Sequence, residues 1–234
     1  MSRSIIPACD VDTLGRLDAL VEATCKVGGL GAYKVDGVGS CVLRDGLMAA
    51  VDVVRNNTEL PIIFDLQKAG TDIPEMGVKF ASGLDGLVQA AILFPFTGPV
   101  TQEAWTKALQ EKGIAVIVGG EMTHPGFNHA EGGYIAADAS KRMFEKAVEL
   151  GVRDFVVPGN KPAVVAACRE LLEGLLGDEP FDLYAPGFIK QGGVISEAGQ
   201  VAGDRFHGII GRGIYEAEDM NAAAVEHCSQ ILAV

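Results

Sequence analysis

Apolar runs of four to six residues recur along the chain, and stretches of helical period lie between most of them. Each run is short enough for a strand and too short for a buried helix. The predicted strands are Ser4–Cys9, Gly31–Val35, Leu60–Asp65, Asp85–Ala90, Ile114–Val118, Asp154–Val157, Asp182–Ala185 and His207–Ile210. Asp12 and Thr13 can cap a helix that carries Leu14, Leu17, Leu20, Val21 and Thr24 along one side. Further helices are predicted over Cys41–Arg55, Glu75–Ser82, Thr101–Lys112, Ala139–Leu150, Lys161–Leu176 and Asp219–Leu232. Gly113, Gly151 and Gly177 stand where three of these helices should stop.

Strands that alternate with helices predict an α/β fold with a parallel sheet. Eight units in 234 residues fit a single-domain (β/α)8 TIM barrel over residues 1–234. A doubly wound sheet is the competing arrangement. The count of eight favours the barrel, and so does the lack of any linker-like segment.

Composition narrows this picture. Hydrophobic residues make up 48% of the chain and aromatics only 6%, which suits small-residue packing of helices on a buried sheet. The formal net charge of −12 argues against nucleic acid or anionic membranes as partners, so a phosphate ligand would need a local site. The five Cys have no regular spacing, which predicts reduced thiols rather than a disulfide framework. Neither a signal peptide nor an apolar run of membrane-spanning length is expected, and the predicted location is the cytoplasm.

In a barrel, residues at the C-terminal ends of the strands face the active site. Asp10, Lys34, Asp65, Lys68, Thr123, His124, Gln191 and Arg212 all fall at or just beyond such ends. Asp65, Lys68 and Asp72 follow the apolar run Leu60–Phe64. They form either a solvated loop ion pair or a catalytic charge cluster. Asp72 and Glu75 also read as a capping box for the next helix. Lys34, inside Ala-Tyr-Lys-Val, is costly unless paired. Pro186-Gly187, Gln191-Gly192-Gly193 and Gly211-Arg212-Gly213 place glycines and an arginine fork where this fold commonly binds phosphate, although turns alone would explain either loop. No His or Cys pattern suggests a metal site.

Five segments, in order, resemble orotidine 5′-phosphate decarboxylases. They are Ile6-Pro7-Ala8-Cys9-Asp10; Tyr33-Lys34-Val35; Asp65, Lys68 and Asp72-Ile73-Pro74; Glu121-Met122-Thr123-His124-Pro125-Gly126; and the two glycine-rich loops, the second continuing into Ile214-Tyr215. The resemblance implies a homodimeric (β/α)8 enzyme without cofactor or metal that converts orotidine monophosphate to uridine monophosphate. Lys34, Asp65, Lys68 and Asp72 look like the family's Lys–Asp–Lys–Asp array. Lys68 would protonate the carbon that loses carbon dioxide, Asp65 would press on the substrate carboxylate, and Asp72 would reach the partner's site. Asp10 and Lys34 would hold the ribose, Thr123 the pyrimidine, and Gln191, Gly192, Gly211 and Arg212 the phosphate. Pro186 and Ile73 would complete the substrate contacts.

The array here runs D-x-x-K-x-x-x-D-I-P, two residues longer than the family's usual D-x-K-x-x-D-I-P. Strand side chains alternate, so a bulge near Leu66-Gln67, or a strand that ends there, must turn Lys68 inward. Phe188 and Lys190 also change the loop expected to close over the phosphate. The competing readings are a Mg²⁺-dependent sugar-phosphate decarboxylase or hexulose-phosphate aldolase of the same superfamily, and a phosphate-binding barrel without chemistry.

Overall fold

The computed structural model describes residues 2–65 and 72–233. Among them, eight parallel strands form one sheet: β1 (Arg3–Pro7), β2 (Tyr33–Asp36), β3 (Ile62–Asp65), β4 (Ala90–Leu93), β5 (Ala115–Gly119), β6 (Asp154–Val156), β7 (Asp182–Ala185) and β8 (Phe206–Ile210). The ladder runs β1-β8-β7-β6-β5-β4-β3-β2. Between β1 and β2 the ring closes through the isolated bridges Ile5↔Leu30 and Ala8↔Lys34. This is the barrel that the sequence predicts, and the ring order excludes a doubly wound sheet.

Among the described residues, ten α-helices connect and cover the strands: α1 (Leu14–Thr24), α2 (Ser40–Asp45), α3 (Leu47–Asn57), α4 (Met76–Leu84), α5 (Pro99–Glu111), α6 (Ala139–Glu149), α7 (Pro162–Leu176), α8 (Ile195–Ala202), α9 (Arg212–Tyr215) and α10 (Met220–Leu232). Thr13 caps α1, accepting a hydrogen bond from the Arg16 amide at 3.2 Å. Asp219 caps α10 in the same way, through the Ala222 amide.

The strand pleat sorts the core into two layers. Outward residues such as Tyr33, Val35, Ile62, Phe64, Val116 and Phe206 pack under the helices. Inward residues Ile6, Ile63, Ile92, Ile117, Val156 and Ile209 fill the barrel's middle. Polar side chains are thereby pushed to the two mouths. At the N-terminal mouth, Ser4 Oγ lies 2.8 Å from His207 Nδ1, and His207 Nε2 lies 3.0 Å from Asp182 Oδ1. Arg205 also donates to Asp182, and the Tyr184 hydroxyl donates to Asp154 at 3.0 Å.

Several expectations need correction. The helix expected over Cys41–Arg55 is two helices, because Gly46 adopts φ +89° and breaks the backbone ladder. The fourth strand is Ala90–Leu93, not Asp85–Ala90. Asp85 and Gly86 form the turn that ends α4, and buried Val88 packs beside the sheet before the ladder begins. The Asp72–Glu75 capping box does not form. Asp72 Oδ1 accepts from the adjacent Ile73 amide at 2.7 Å, and Glu75 at the N-cap makes no side-chain bond. Helices α8 and α9 escaped the sequence reading, although Ile195, Ala198 and Ala202 bury one side of α8. All five cysteines are free thiols, as expected. Among the described residues, no helix is long and apolar enough to cross a membrane.

Asp182 is the acceptor that both His207 and Arg205 need. Burial works to raise its pKa, but those two donors outweigh burial and hold it below the ordinary 3.8. A lowered folded-state pKa gives stability that is present above the unfolded value and lost as pH falls through the folded one. Replacement of Asp182 by Ala is expected to cost about 1–3 kcal/mol at neutral pH, with a smaller loss for Asp182→Asn. Urea unfolding near pH 7 and near pH 3 checks this. The penalty should shrink at the lower pH, and an unchanged penalty there would contradict the assignment.

Candidate active site

The alternation that packs Tyr33 and Val35 outward turns Lys34 into the barrel. Tyr33 is anchored by a 2.7 Å contact between its hydroxyl and Thr24 Oγ1 on α1. Lys34 Nζ donates to Asp65 Oδ2 at 2.6 Å and to Asp10 Oδ1 at 3.1 Å. Its side chain is 4% exposed and that of Asp65 is 0% exposed. Burial alone would lower the lysine's pKa, but Asp65, Asp10 and Asp36 together raise it above the ordinary 10.5. The lysine is therefore charged at every physiological pH.

Asp36 was not singled out in the sequence. It lies two residues beyond Lys34 on β2, so it shares the inward face, and its register partner across the ladder is Asp65. It is 2% exposed, and its Oδ1 accepts from the Val38 amide at 3.0 Å. The i, i+2 spacing of Lys34 and Asp36 within an apolar strand was the available signal. The described part of this mouth thus groups three carboxylates, Asp10, Asp36 and Asp65, about one ammonium.

A cavity of about 370 Å³ opens at this mouth. Asp10 and Lys34 form one wall. Pro186, Gln191, Gly211 and Arg212 also line the cavity, as does Thr123; Gly211 and Arg212 follow β8, the neighbour of β1 in the ring. These residues, and His124 with them, were all expected at the site and line one cavity, and Asp65 is bonded to Lys34. Gly192 does not line it; with φ +85° it supplies the left-handed turn after Gln191. Asp72 and Ile73 do not line their own chain's cavity, and Ile73 is 59% exposed. Lys68, and the bulge expected near Leu66-Gln67, lie outside the described residues. The cavity also takes in Phe188 and Lys190 of the loop expected to close over the phosphate, and Glu121 and Tyr215, which had no expected site role.

Local bonding holds these walls. Asn160 Nδ2 donates to the Thr123 carbonyl at 3.0 Å. Lys161 Nζ reaches Glu131 Oε1 at 2.7 Å and Glu121 Oε1 at 3.4 Å, tying the loop after β5 to the start of α7. Gly187, at φ +110°, lies so close to Thr123 and Asn160 that a β-carbon there would come within 2.9 Å of Thr123 Cγ2. Among the described residues, no group of three or more His, Cys, Asp or Glu side chains is arranged to hold a metal ion.

No family profile matches the chain. It is, however, 31% identical over 193 residues to the orotidine 5′-phosphate decarboxylase of Methanosarcina mazei, a match that covers 80% of each chain. The chain belongs to the orotidine 5′-phosphate decarboxylase family. The Methanosarcina barkeri member of this family is 30% identical over 191 residues, covering 79% of this chain and 78% of that one. Among solved structures, the family's enzyme from Methanocaldococcus jannaschii, complexed with inhibitor BMP, aligns with a TM-score of 0.84 at 22% identity and covers 99% of both chains. The Pyrococcus horikoshii OT3 enzyme aligns at 0.79 and 26% identity, over 98% of this chain and 100% of that one.

Removing one partner of a buried ion pair is far costlier than replacing both by neutral groups. Lys34→Met strips Asp65 of the ammonium 2.6 Å away. It is expected to lower the unfolding free energy by about 3 kcal/mol. Adding Asp65→Asn to Lys34→Met should recover most of that loss. Denaturant melts of the two variants check this. Equal stability of Lys34→Met and the unsubstituted chain would show that the pair is not coupled.

Proposed function

We propose that this protein decarboxylates orotidine 5′-monophosphate to uridine 5′-monophosphate, a step of pyrimidine biosynthesis, without metal or cofactor. The observation that carries the reading is the single cavity lined by Asp10 and Lys34, with Asp65 bonded to that lysine, and by Gln191 and Arg212. The first group offers fixed charge, and the second offers donors for a phosphate dianion. Membership of the family supplies the substrate.

In this reading Arg212 and Gln191 grip the phosphate, Asp10 and Lys34 the ribose hydroxyls, and Thr123 the pyrimidine. Asp65 stands against the substrate carboxylate, raising the energy of the bound anion more than that of the transition state, in which the charge has moved away. The bond from C6 to the carboxyl carbon breaks and carbon dioxide leaves. The electron pair stays on C6 and takes a proton from the Lys68 ammonium. Lys34 remains protonated throughout, so its charge is a fixed part of the field and needs no reorganisation during the reaction.

We further propose a homodimer in which Asp72 serves the partner's site. Its absence from the lining of its own chain's cavity supports this, and so do exposed apolar side chains on or just before α4 and α5. Ile73, Val78 and Val100, at 59%, 62% and 70% exposure, lie just before or at the start of α4 and α5. Exposed apolar groups at neighbouring helix starts favour cover by another surface.

Two measurements test the reading. Orotidine monophosphate should be consumed in an ultraviolet assay, with full activity retained in excess EDTA. Strict dependence on Mg²⁺ would instead assign the chain to the sugar-phosphate chemistry of its superfamily. Lys68→Ala and Asp72→Ala should each be nearly inactive alone. Mixed under conditions of subunit exchange, they should regain part of wild-type activity, because a heterodimer then holds one site with both lesions and one with neither. Lack of recovery despite demonstrated exchange would place Asp72 outside the partner's site.

A further inference from the structure

The loop after β7 contains an unusual piece of backbone. Ile189 has φ +61°, and among the described residues it is the one non-glycine residue with positive φ. A β-branched side chain is disfavoured there, at a cost on the order of 1–3 kcal/mol. The conformation is held by a ring of backbone bonds. Ile189 donates to the Gly193 carbonyl, Gly193 donates to Gly187, and Gly192 donates back to Ile189, at 3.0–3.1 Å. The result is a short 3₁₀ turn over Ile189–Gln191, and Lys190 and Gln191 both line the cavity from it.

Lys190 Nζ pairs with Glu216 Oε2 at 3.3 Å. Both side chains are about half exposed, at 51% and 46%. A pair this open is held by roughly 0–1 kcal/mol, so its lysine can change partner at little cost. Glu216 ends α9, whose first residue is Arg212. The two loops that form the anion-facing wall therefore carry two cations, of which Arg212 alone would leave a phosphate dianion only half neutralised. In a chain of net charge −12, local compensation of this kind matters more than it would in a basic protein.

Resting on the phosphate-binding role given to this wall above, we propose that Lys190 is a second cationic ligand of the phosphate group, one that exchanges Glu216 for a phosphate oxygen when the anion binds. Glu216 is then a competitor of the ligand and not a support for the loop. The two roles predict opposite signs. If the Lys190–Glu216 pair only ties the loops together, loss of either partner should weaken binding equally. If Lys190 is a ligand, Lys190→Ala should weaken binding while Glu216→Gln preserves or tightens it.

The experiment is calorimetric titration of the full chain with uridine 5′-monophosphate, uridine and inorganic phosphate. The variants are Lys190→Ala, Glu216→Gln and Arg212→Ala, with exposed Lys26→Ala on the far side of the chain from the cavity as a control for net charge. Loss of one charge-assisted bond corresponds to about a tenfold rise in Kd for Lys190→Ala with the nucleotide. Uridine binding should stay unchanged, and Lys26→Ala should have no such effect. An unchanged Kd in Lys190→Ala, or an equal loss in Glu216→Gln, overturns the proposal while leaving Arg212 as the phosphate ligand. Binding of inorganic phosphate that depends on Lys190, in a chain that ignores uridine monophosphate, supports the proposal and defeats the substrate reading instead. A chain that binds none of the three ligands defeats both.

Discussion

A sheet closed on itself leaves each inward side chain no choice of neighbour. Along every strand, alternate residues enter a shared interior, and that interior has room for one apolar layer in the middle. Ile6, Ile63, Ile92, Ile117, Val156 and Ile209 fill it. Any polar inward residue must then sit above or below this layer, where it can find a partner. The chemistry at one mouth and the Ser4–His207–Asp182 network at the other both follow from that restriction.

The two mouths solve the same problem differently. At the N-terminal end, the donors and acceptors satisfy one another, and the arrangement works as structure. At the C-terminal end, Lys34 is held by acids that leave it charged but still at the cavity wall. Among the described residues, Asp36, buried beside Asp65, is a third carboxylate near Lys34. An anion brought against these carboxylates would be raised in energy, whereas one brought to Arg212, on the same cavity, would be lowered.

Much of this was legible in the sequence. Strand positions follow from short apolar runs, and helix ends from Gly113, Gly151 and Gly177, each of which adopts positive φ. The fourth strand was misplaced because Leu87 and Val88 are apolar for packing reasons and look like ladder residues. The break between α2 and α3 was missed because a single Gly46 inside an amphipathic stretch does not by itself announce a left-handed conformation. Lys34, Asp10 and the glycine-rich loops were recognisable because each places a polar or flexible residue at a strand end. Asp36 was not, since one acid after Lys34-Val35 reads as the end of a strand, and only the register opposite Asp65 shows that it is enclosed. Glu121 reaches the cavity from the loop after β5, and Tyr215 from the end of the short α9, a helix too brief for periodicity to reveal.

The join between β1 and β2 is unlike the others. Every other neighbouring pair of strands shares a continuous ladder, while this pair meets through two isolated bridges. The contact between Asp10, just beyond β1, and Lys34, on β2, crosses that seam at its upper end. The site is thus a clasp on the cylinder as well as a place for chemistry. Any group that bonded both Asp10 and Lys34 would draw the two edges together, and part of its binding energy would appear as rigidity of the wall. The Asp10–Lys34 contact thus reinforces the one junction of the barrel that, among the described residues, lacks a continuous ladder.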